Sequence, residues 1–455
     1  MEMILEFLRD ILSQPALLIG IMSCVGLIAL KRPFHKIMTG TLKPILGYLM
    51  LAAGAGVIVS NLDPLGKMIE HGFHITGVVP NNEAIVAVAQ KVLGVETMSI
   101  LVVGLLMNLL IARFTKFKYV FLTGHHSLFM ACLMSAVLGT AGLSGIELIL
   151  VGGFLMGAWS AISPAIGQSY TSKVTDGDEI ALGHFGSLGY YLSAWVAKYV
   201  GKADESTEDI EIPEKWGFLR DSTLSTALTM IVFYLIAAIA AGSEFVSTLS
   251  GSMSPYLFAI MSAMNFAVGV AIVYSGVRMI LGDLIPAFQG IATKIIPNAI
   301  PAVDCAVFFT YAPTAVVLGF ISSFIGGIIG MLILGAVGGV LIIPGLVPHF
   351  FCGATAGIYG NATGGRRGAA VGAFLNGLAI TFLPALALPV LGQLGFQNTT
   401  FGDADFAVIG LVLGNAFEWI GMAGIYGVVV IAALVLIIPN FIKTKGKVIN
   451  YVEEE

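Results

Sequence analysis

Apolar runs long enough to cross a lipid bilayer recur along the whole chain. They lie near residues 16–30, 41–60, 97–113, 119–139, 146–163, 223–242, 256–281, 314–343, 369–393, 407–417 and 421–441. A hydrocarbon core takes roughly 20 apolar residues as a helix. Composition agrees with the pattern. Of 455 residues, 57% are hydrophobic and only 11% charged, whereas soluble domains carry about 25% charged residues because water must be met at their surface. Mean hydropathy is +0.94. Glycine is abundant, at 56 residues, as expected where helices approach closely in lipid and backbone breaks near a site. The expected fold is an all-α polytopic membrane protein of about 11 transmembrane helices.

Basic loops orient such a protein, because cytoplasmic loops retain Lys and Arg. Lys31-Arg32-Pro33-Phe34-His35-Lys36, Arg113–Lys118 and Lys443-Thr444-Lys445-Gly446-Lys447 all read cytoplasmic, while loops 61–96 and 243–254 are poor in Lys and Arg and read outside. The first run, Ala16–Leu30, follows an amphipathic start and ends in Lys31-Arg32 without a small-residue cleavage site, so it is expected to be a retained span. Stretches 183–200 and 298–312 look re-entrant or broken. The polar segment 201–221, with Asp204, Glu205, Glu208, Asp209, Glu211, Glu214, Lys215 and Arg220, reads as a cytoplasmic connector or a docking surface.

A weak internal repeat runs through the chain. Val78-Val79-Pro80-Asn81 matches Ile295-Ile296-Pro297-Asn298, Gly124-His125 matches Pro348-His349, and Asp176-Gly177-Asp178 matches Asp403-Ala404-Asp405. The matches keep their order at offsets of about 217, 224 and 227 residues, as in transporters built from two related halves. Residues 1–200 and 222–455 are the expected repeats, within a single membrane domain over 1–455.

Ionisable groups at membrane depth are costly, so each is a candidate site. Thr123-Gly124-His125-His126-Ser127 opens an apolar run. Adjacent imidazoles on a helix point about 100° apart and no His, Asp or Glu follows at helical spacing, which suits hydrogen bonding to a polar ligand or a neighbouring helix better than a metal. An acidic turn at Asp176-Gly177-Asp178 precedes His184, without the ligand spacing of an EF-hand. Pro297 and Pro301 forbid a regular helix before Asp304, so freed backbone groups need partners. That carboxylate can hold a hydroxyl or serve as a structural acceptor. Glu83, after Pro80-Asn81-Asn82, is its counterpart in the first half or a helix-start acid. Gly364-Gly365-Arg366-Arg367 reads as a cytoplasmic anchor or a means of steering a phosphorylated partner, and Glu147, His349 and Glu418 as packing-associated groups.

Other classes lack their signals. Cys24, Cys132, Cys305 and Cys352 stand singly in apolar segments, with no CxxC or Cys/His spacing. A net charge of −5 without a basic tract argues against nucleic acid. The chain carries no Walker A sequence, no arginine ladder and no TVGYG filter. No metal and no cofactor are expected.

Val174-Thr175-Asp176-Gly177 followed by Gly183-His184, Gly276-Val277-Arg278, Ala287-Phe288-Gln289-Gly290-Ile291, Ile300 to Asp304-Cys305-Ala306, Tyr311–Val317 and Ile342-Ile343-Pro344-Gly345 carry a family resemblance. In these segments the chain resembles ascorbate-specific enzyme IIC, the permease subunit of the bacterial phosphoenolpyruvate-dependent phosphotransferase system. Similarity extends over nearly the whole chain and is densest between about 276 and 360. The resemblance implies a multi-pass homodimer in the bacterial inner membrane, with a core domain that binds substrate and a V-shaped scaffold domain that mediates dimerisation. It implies uptake of L-ascorbate or a related sugar, phosphorylated by a cytoplasmic IIB subunit that carries phosphate on a cysteine supplied through IIA. Enzyme IIC itself holds no phosphorylated residue. Carried over by position, substrate contacts fall on Asn82, Glu83, His125, His126, Ser127, Leu128, Phe129, His184, Phe185 and Asp304, with Asp304 accepting the hydroxyl. Phe185 and Gly186 stand where glutamines are expected, and Glu83 would repel an anion unless protonated, which keeps a neutral sugar or polyol open. The competing class is an ion-coupled secondary transporter in which Glu83 and Asp304 bind protons or sodium.

Overall fold

The computed structural model describes residues 14–441 except 75–76, 81, 178, 211–221 and 393–398. Helices dominate. In chain order they are α1 (Pro15–Ala29), α2 (Phe34–Gly72), α3 (Asn82–Phe114), α4 (Gly124–Thr140), α5 (Gly145–Thr175), α6 (Ser187–Val200), α7 (Ser222–Ala241), α8 (Ser243–Ser250), α9 (Pro255–Lys294), α10 (Pro313–Ala336), α11 (Leu346–Gly392), α12 (Ala404–Ile420) and α13 (Met422–Phe441). A 3₁₀ turn covers Cys305–Thr310. Five very short strands interrupt them: β1 (Val79–Pro80), β2 (Tyr119–Phe121), β3 (Ala181–Leu182), β4 (Ile300–Val303) and β5 (Thr399–Thr400).

Among the described residues, seven helices are long and apolar enough to cross a membrane, or eight if the bent pair Thr226–Ala241 and Ser243–Ser250 is one span. The expectation of about eleven is larger for identifiable reasons. Helices α4 and α12 have 17 residues each and α1 has 15, short of a full crossing. α7 bends by 117° into α8, so that run counts only as a broken span. α11, counted once, is two helices joined at a kink and folds back at the non-helical Gly364-Gly365. Gly365, at φ +59° and ψ −155°, occupies backbone space essentially closed to other residues. Across this turn Gly360 and Gly368 approach so closely that a methyl on either would meet the other's carbonyl oxygen at 2.4 Å.

The helices sort into two packing sets. In one, α2 lies along α9, with α1 and α7 against both. Gly54 and Gly269 meet at this crossing, where a Cβ on Gly54 would lie 2.7 Å from the Gly269 oxygen. Small residues let backbones close up in this way when lipid supplies no hydrophobic push between helices. In the other set, α10 packs on α11, α11 on α6, and α3 on α4 and α5. α12 joins this set through α11 and α13 through α12 and α5.

The connector is half described. Residues 211–221 lie outside the described residues, and 201–210 pack onto the protein. The Glu208 carboxylate accepts the N–H groups of Thr314 and Ala315 at 3.1 Å, at the start of α10. Thr207 N–H donates to Asn361 Oδ1 at 2.8 Å and Arg366 N–H to Glu205 O at 2.8 Å.

Candidate functional site

Three extended segments converge from the side marked by the basic loop 113–118. β2 and β3 flank β4, all parallel, with Tyr119 opposite Ile300 and Leu182 opposite Val303. Each strand is only two to four residues long, and each is followed at once by a candidate residue. β2 delivers Thr123-Gly124-His125-His126 at the start of α4, β3 delivers His184 ahead of α6, and β4 delivers Asp304 ahead of the 3₁₀ turn. Parallel strands end at the same edge, so residues 59 positions apart, such as His126 and Phe185, become neighbours.

At that edge His125 Nε2 lies 3.4 Å from Asp304 Oδ2. Asp304 Oδ1 accepts the Ala306 N–H at 3.0 Å and caps the 3₁₀ turn, while Oδ2 is buried and receives no hydrogen bond. The rings of His126 and His184 stand 3.7 Å apart at their centroids. His126 Nδ1 accepts the Phe185 N–H at 3.3 Å, and His184 Nδ1 accepts the Gly186 N–H at 3.1 Å with the Tyr190 hydroxyl at 2.9 Å. Both imidazoles are buried, which explains why each is met by a main-chain donor.

A second group of segments adjoins the first. β1 pairs with β5 in parallel, and Val78 bridges Ile342. These segments lead into α3, α12 and α11. Asn82 Nδ2 donates to Asp403 Oδ2 at 2.6 Å, and Cys352 Sγ donates to Asp403 Oδ1 at 2.9 Å. Asp403 Oδ1 lies 3.8 Å from His184 Nδ1. Asp405 is fully buried and accepts from Ser187 Oγ at 2.7 Å, Leu188 N at 2.9 Å and Trp159 Nε1 at 3.1 Å, while its own N–H donates to Phe185 O at 3.0 Å. The two groups of segments are thereby tied together around the His184-Phe185 turn.

The structure thus gathers His125, His126, His184, Phe185 and Asp304, with Asn82 joined through Asp403. Phe129 lies against both histidines of α4, at 5.8 Å from His125 and 5.6 Å from His126. Phe185 stacks on Phe121 at 4.6 Å. Ser127 is fully buried and its hydroxyl donates to Thr123 O at 3.3 Å, so it serves its own helix here. Leu128 packs in the apolar cluster around α4. Glu83 is the second residue of α3, and its side chain lies outside the described residues. Local spacing offered no metal site, yet the fold places His126, His184 and Asp403 with ligand atoms within 4.8 Å of one another. Both imidazoles spend the Nδ1 lone pair on a main-chain N–H, which leaves Nε2 protonated in the neutral ring.

Sequence reasoning missed Tyr48, Tyr190, Cys352, Asp403 and Asp405 as site residues. Tyr48 and Tyr190 are ordinary aromatics within helical runs. The aspartates had one signal, their match to Asp176 and Asp178 in the repeat.

A protein-family model described as EIIC-GAT, the sugar-specific permease component of the phosphotransferase system, matches residues 10–405. A curated relative from Mycoplasma pneumoniae, named as the ascorbate-specific component EIIC of that system, is 26% identical and aligns with 78% of this chain. The chain spans 62% of that relative's own length. The family match covers most of the chain and the long apolar helices agree with it: this is a multi-pass membrane protein belonging to the EIIC-GAT family of sugar-specific phosphotransferase-system permease components.

Proposed function

We propose that this chain is the translocating subunit of a phosphotransferase-system permease in the bacterial inner membrane, taking up L-ascorbate or a related sugar as a cytoplasmic phospho-IIB subunit phosphorylates it. The observation that carries the reading is Asp304 Oδ2, a buried carboxylate oxygen without a hydrogen bond, 3.4 Å from His125 Nε2. An unsatisfied buried acceptor costs about 1–3 kcal/mol, and a substrate hydroxyl placed there removes that cost. The hydroxyl oxygen attacks phosphorus on the IIB cysteine, the phosphorus–sulfur bond breaks, and Asp304 takes the proton. His125, half open beside it, bonds a neighbouring oxygen. α4 and α6 begin at the site, and their partial positive ends favour an anionic solute such as ascorbate.

The architecture supports transport by relative movement of two bodies. The α1–α2–α7–α9 set is the proposed scaffold and dimer-forming domain, and the α3–α6 with α10–α13 set is the proposed core. The repeat is supported by element order. A long proline-containing helix (α2 and then α9) precedes an extended segment, a long helix and a pair of helices in each half, the pair in the second half being the two arms of α11. Each half then carries a short strand and a short helix, β3–α6 and β5–α12, with α13 following in the second half.

Radiolabelled ascorbate uptake into cells carrying this chain, with and without cognate IIA and IIB, tests the reading. Accumulation of ascorbate phosphate only with both partners supports it. Uptake of free ascorbate without them overturns phosphate coupling in favour of ion coupling. Asp304→Asn is expected to abolish coupled uptake in a folded protein, and unchanged uptake would sink the role given to Asp304.

A further inference from the structure

His125 differs from His184 in remaining partly open, with its side chain 39% exposed against 4%. Its two ring nitrogens face different neighbours. Nε2 looks toward Asp304 Oδ2 at 3.4 Å, and Nδ1 meets the Tyr48 hydroxyl at 3.1 Å. Tyr48 is buried and lies on α2, 77 residues away in sequence. It belongs to the helix set opposite to the one that supplies His125 and Asp304. His126, edge-on at 4.8 Å, and Phe129, at 5.8 Å, flank the His125 ring.

A neutral imidazole carries one proton, and the partner of one nitrogen decides where it sits. The Asp304 carboxylate only accepts, so a bare Nε2 would set a lone pair against it; the proton therefore sits on Nε2, 3.4 Å from Oδ2 and without a formed hydrogen bond to it. Nδ1 must then accept, and the Tyr48 hydroxyl is the donor. We propose that Tyr48 is a positioning residue for His125: its hydroxyl holds the imidazole in the Nε2–H form and keeps that nitrogen beside Asp304. The carboxylate oxygen is thereby fixed for the substrate hydroxyl that shares it. Tyr48 stands on one helix set and its two partners on the other, so the phenol–imidazole–carboxylate chain closes only at this relative position of the sets. Any sliding of one set along the other opens it.

The structural test needs no substrate. Nitrogen-15 NMR of histidine-labelled protein in lipid bilayers, with His125→Gln to assign the signal among the 7 histidines, reads the protonation of each ring nitrogen. The expected spectrum has His125 Nδ1 bare and Nε2 protonated. Tyr48→Phe should shift this signal toward a mixture of tautomers and leave the other histidines unmoved. Tyr48→Gln, which keeps a donor, should restore it. A doubly protonated His125, or a His125 signal identical in Tyr48→Phe, overturns the proposal. The functional arm rests on the reading above and measures labelled ascorbate uptake with IIA and IIB. Tyr48→Phe is expected to lower Vmax about tenfold while KM stays within about twofold, the loss of one hydrogen bond felt at the transfer step. A raised KM at unchanged Vmax would make Tyr48 a binding contact and overturn the positioning role. If the unaltered protein takes up no ascorbate, the substrate reading fails, and the NMR arm still decides the role of Tyr48.

Discussion

Asn82 and Asp403, 321 residues apart in sequence, form a 2.6 Å hydrogen bond, and Asn82 Oδ1 takes the Gly402 N–H at 2.9 Å in return. The amide is satisfied at both ends, so in this conformation Asn82 clasps the start of α3 to the segment that sets Asp403 beside His184. Asn82→Ala is expected to destabilise the protein by about 1–3 kcal/mol, because a buried carboxylate loses its shortest donor. A lower Tm in detergent reads the effect. Asn82→Asp should be worse, since it opposes two carboxylates. Adding Asp403→Asn to it should recover most of the loss, and a double variant no better than Asn82→Asp would show that the clasp is not what holds these segments.

Asp405 binds three donors, from Trp159, Ser187 and Leu188. Replacement by alanine leaves all three without an acceptor, Ser187 fully buried and Trp159 and Leu188 partly so, and should cost about 2–4 kcal/mol. Asp405→Asn keeps one carbonyl acceptor and should cost less. Comparison of the two variants' Tm values checks this, and equal losses would contradict the assignment of the cost to unmet donors.

Glu208 acts as a cap on α10 from outside that helix, accepting from Thr314 N–H and Ala315 N–H. Glu208→Ala should cost about 1 kcal/mol, less at high salt because the carboxylate is exposed. Faster hydrogen exchange in peptides covering residues 311–318 is the expected signature. Unaltered exchange there would mean that residues 201–210 are held by their other bonds.

Gly269 lies against Gly54 at the crossing of α9 and α2, where an added Cβ meets the Gly54 oxygen at 2.9 Å. Gly269→Ala should force the helices apart and cost about 1–3 kcal/mol, measured as a fall in Tm. A Tm equal to that of the unaltered protein would show that the crossing relaxes freely.

The class of fold and much of the candidate site were legible in the sequence, for a reason that is local. The cost of placing charge in hydrocarbon applies to each residue separately, so long apolar runs announce helices, and His125, His126, His184 and Asp304 stand out within them. The prolines at 297 and 301 likewise announce a broken helix, and the structure has strand β4 and a 3₁₀ turn there. Leu128 and Ser127 were named by position, and the fold gives them packing and a bond to their own helix. The span count differed because three helices are shorter than a full crossing and α7 bends sharply into α8.

What the sequence by itself determined is therefore the solvent of this chain and the list of polar groups that must find partners inside it. Which groups meet was decided by tertiary structure. Strands of two to four residues have no periodicity to read, yet their parallel pairing alone brings His125 to Asp304 and His126 to His184. Tyr48, Asp403 and Asp405 gain their meaning only there, since a hydrogen bond depends on ångström-scale distance between atoms and not on separation along the chain.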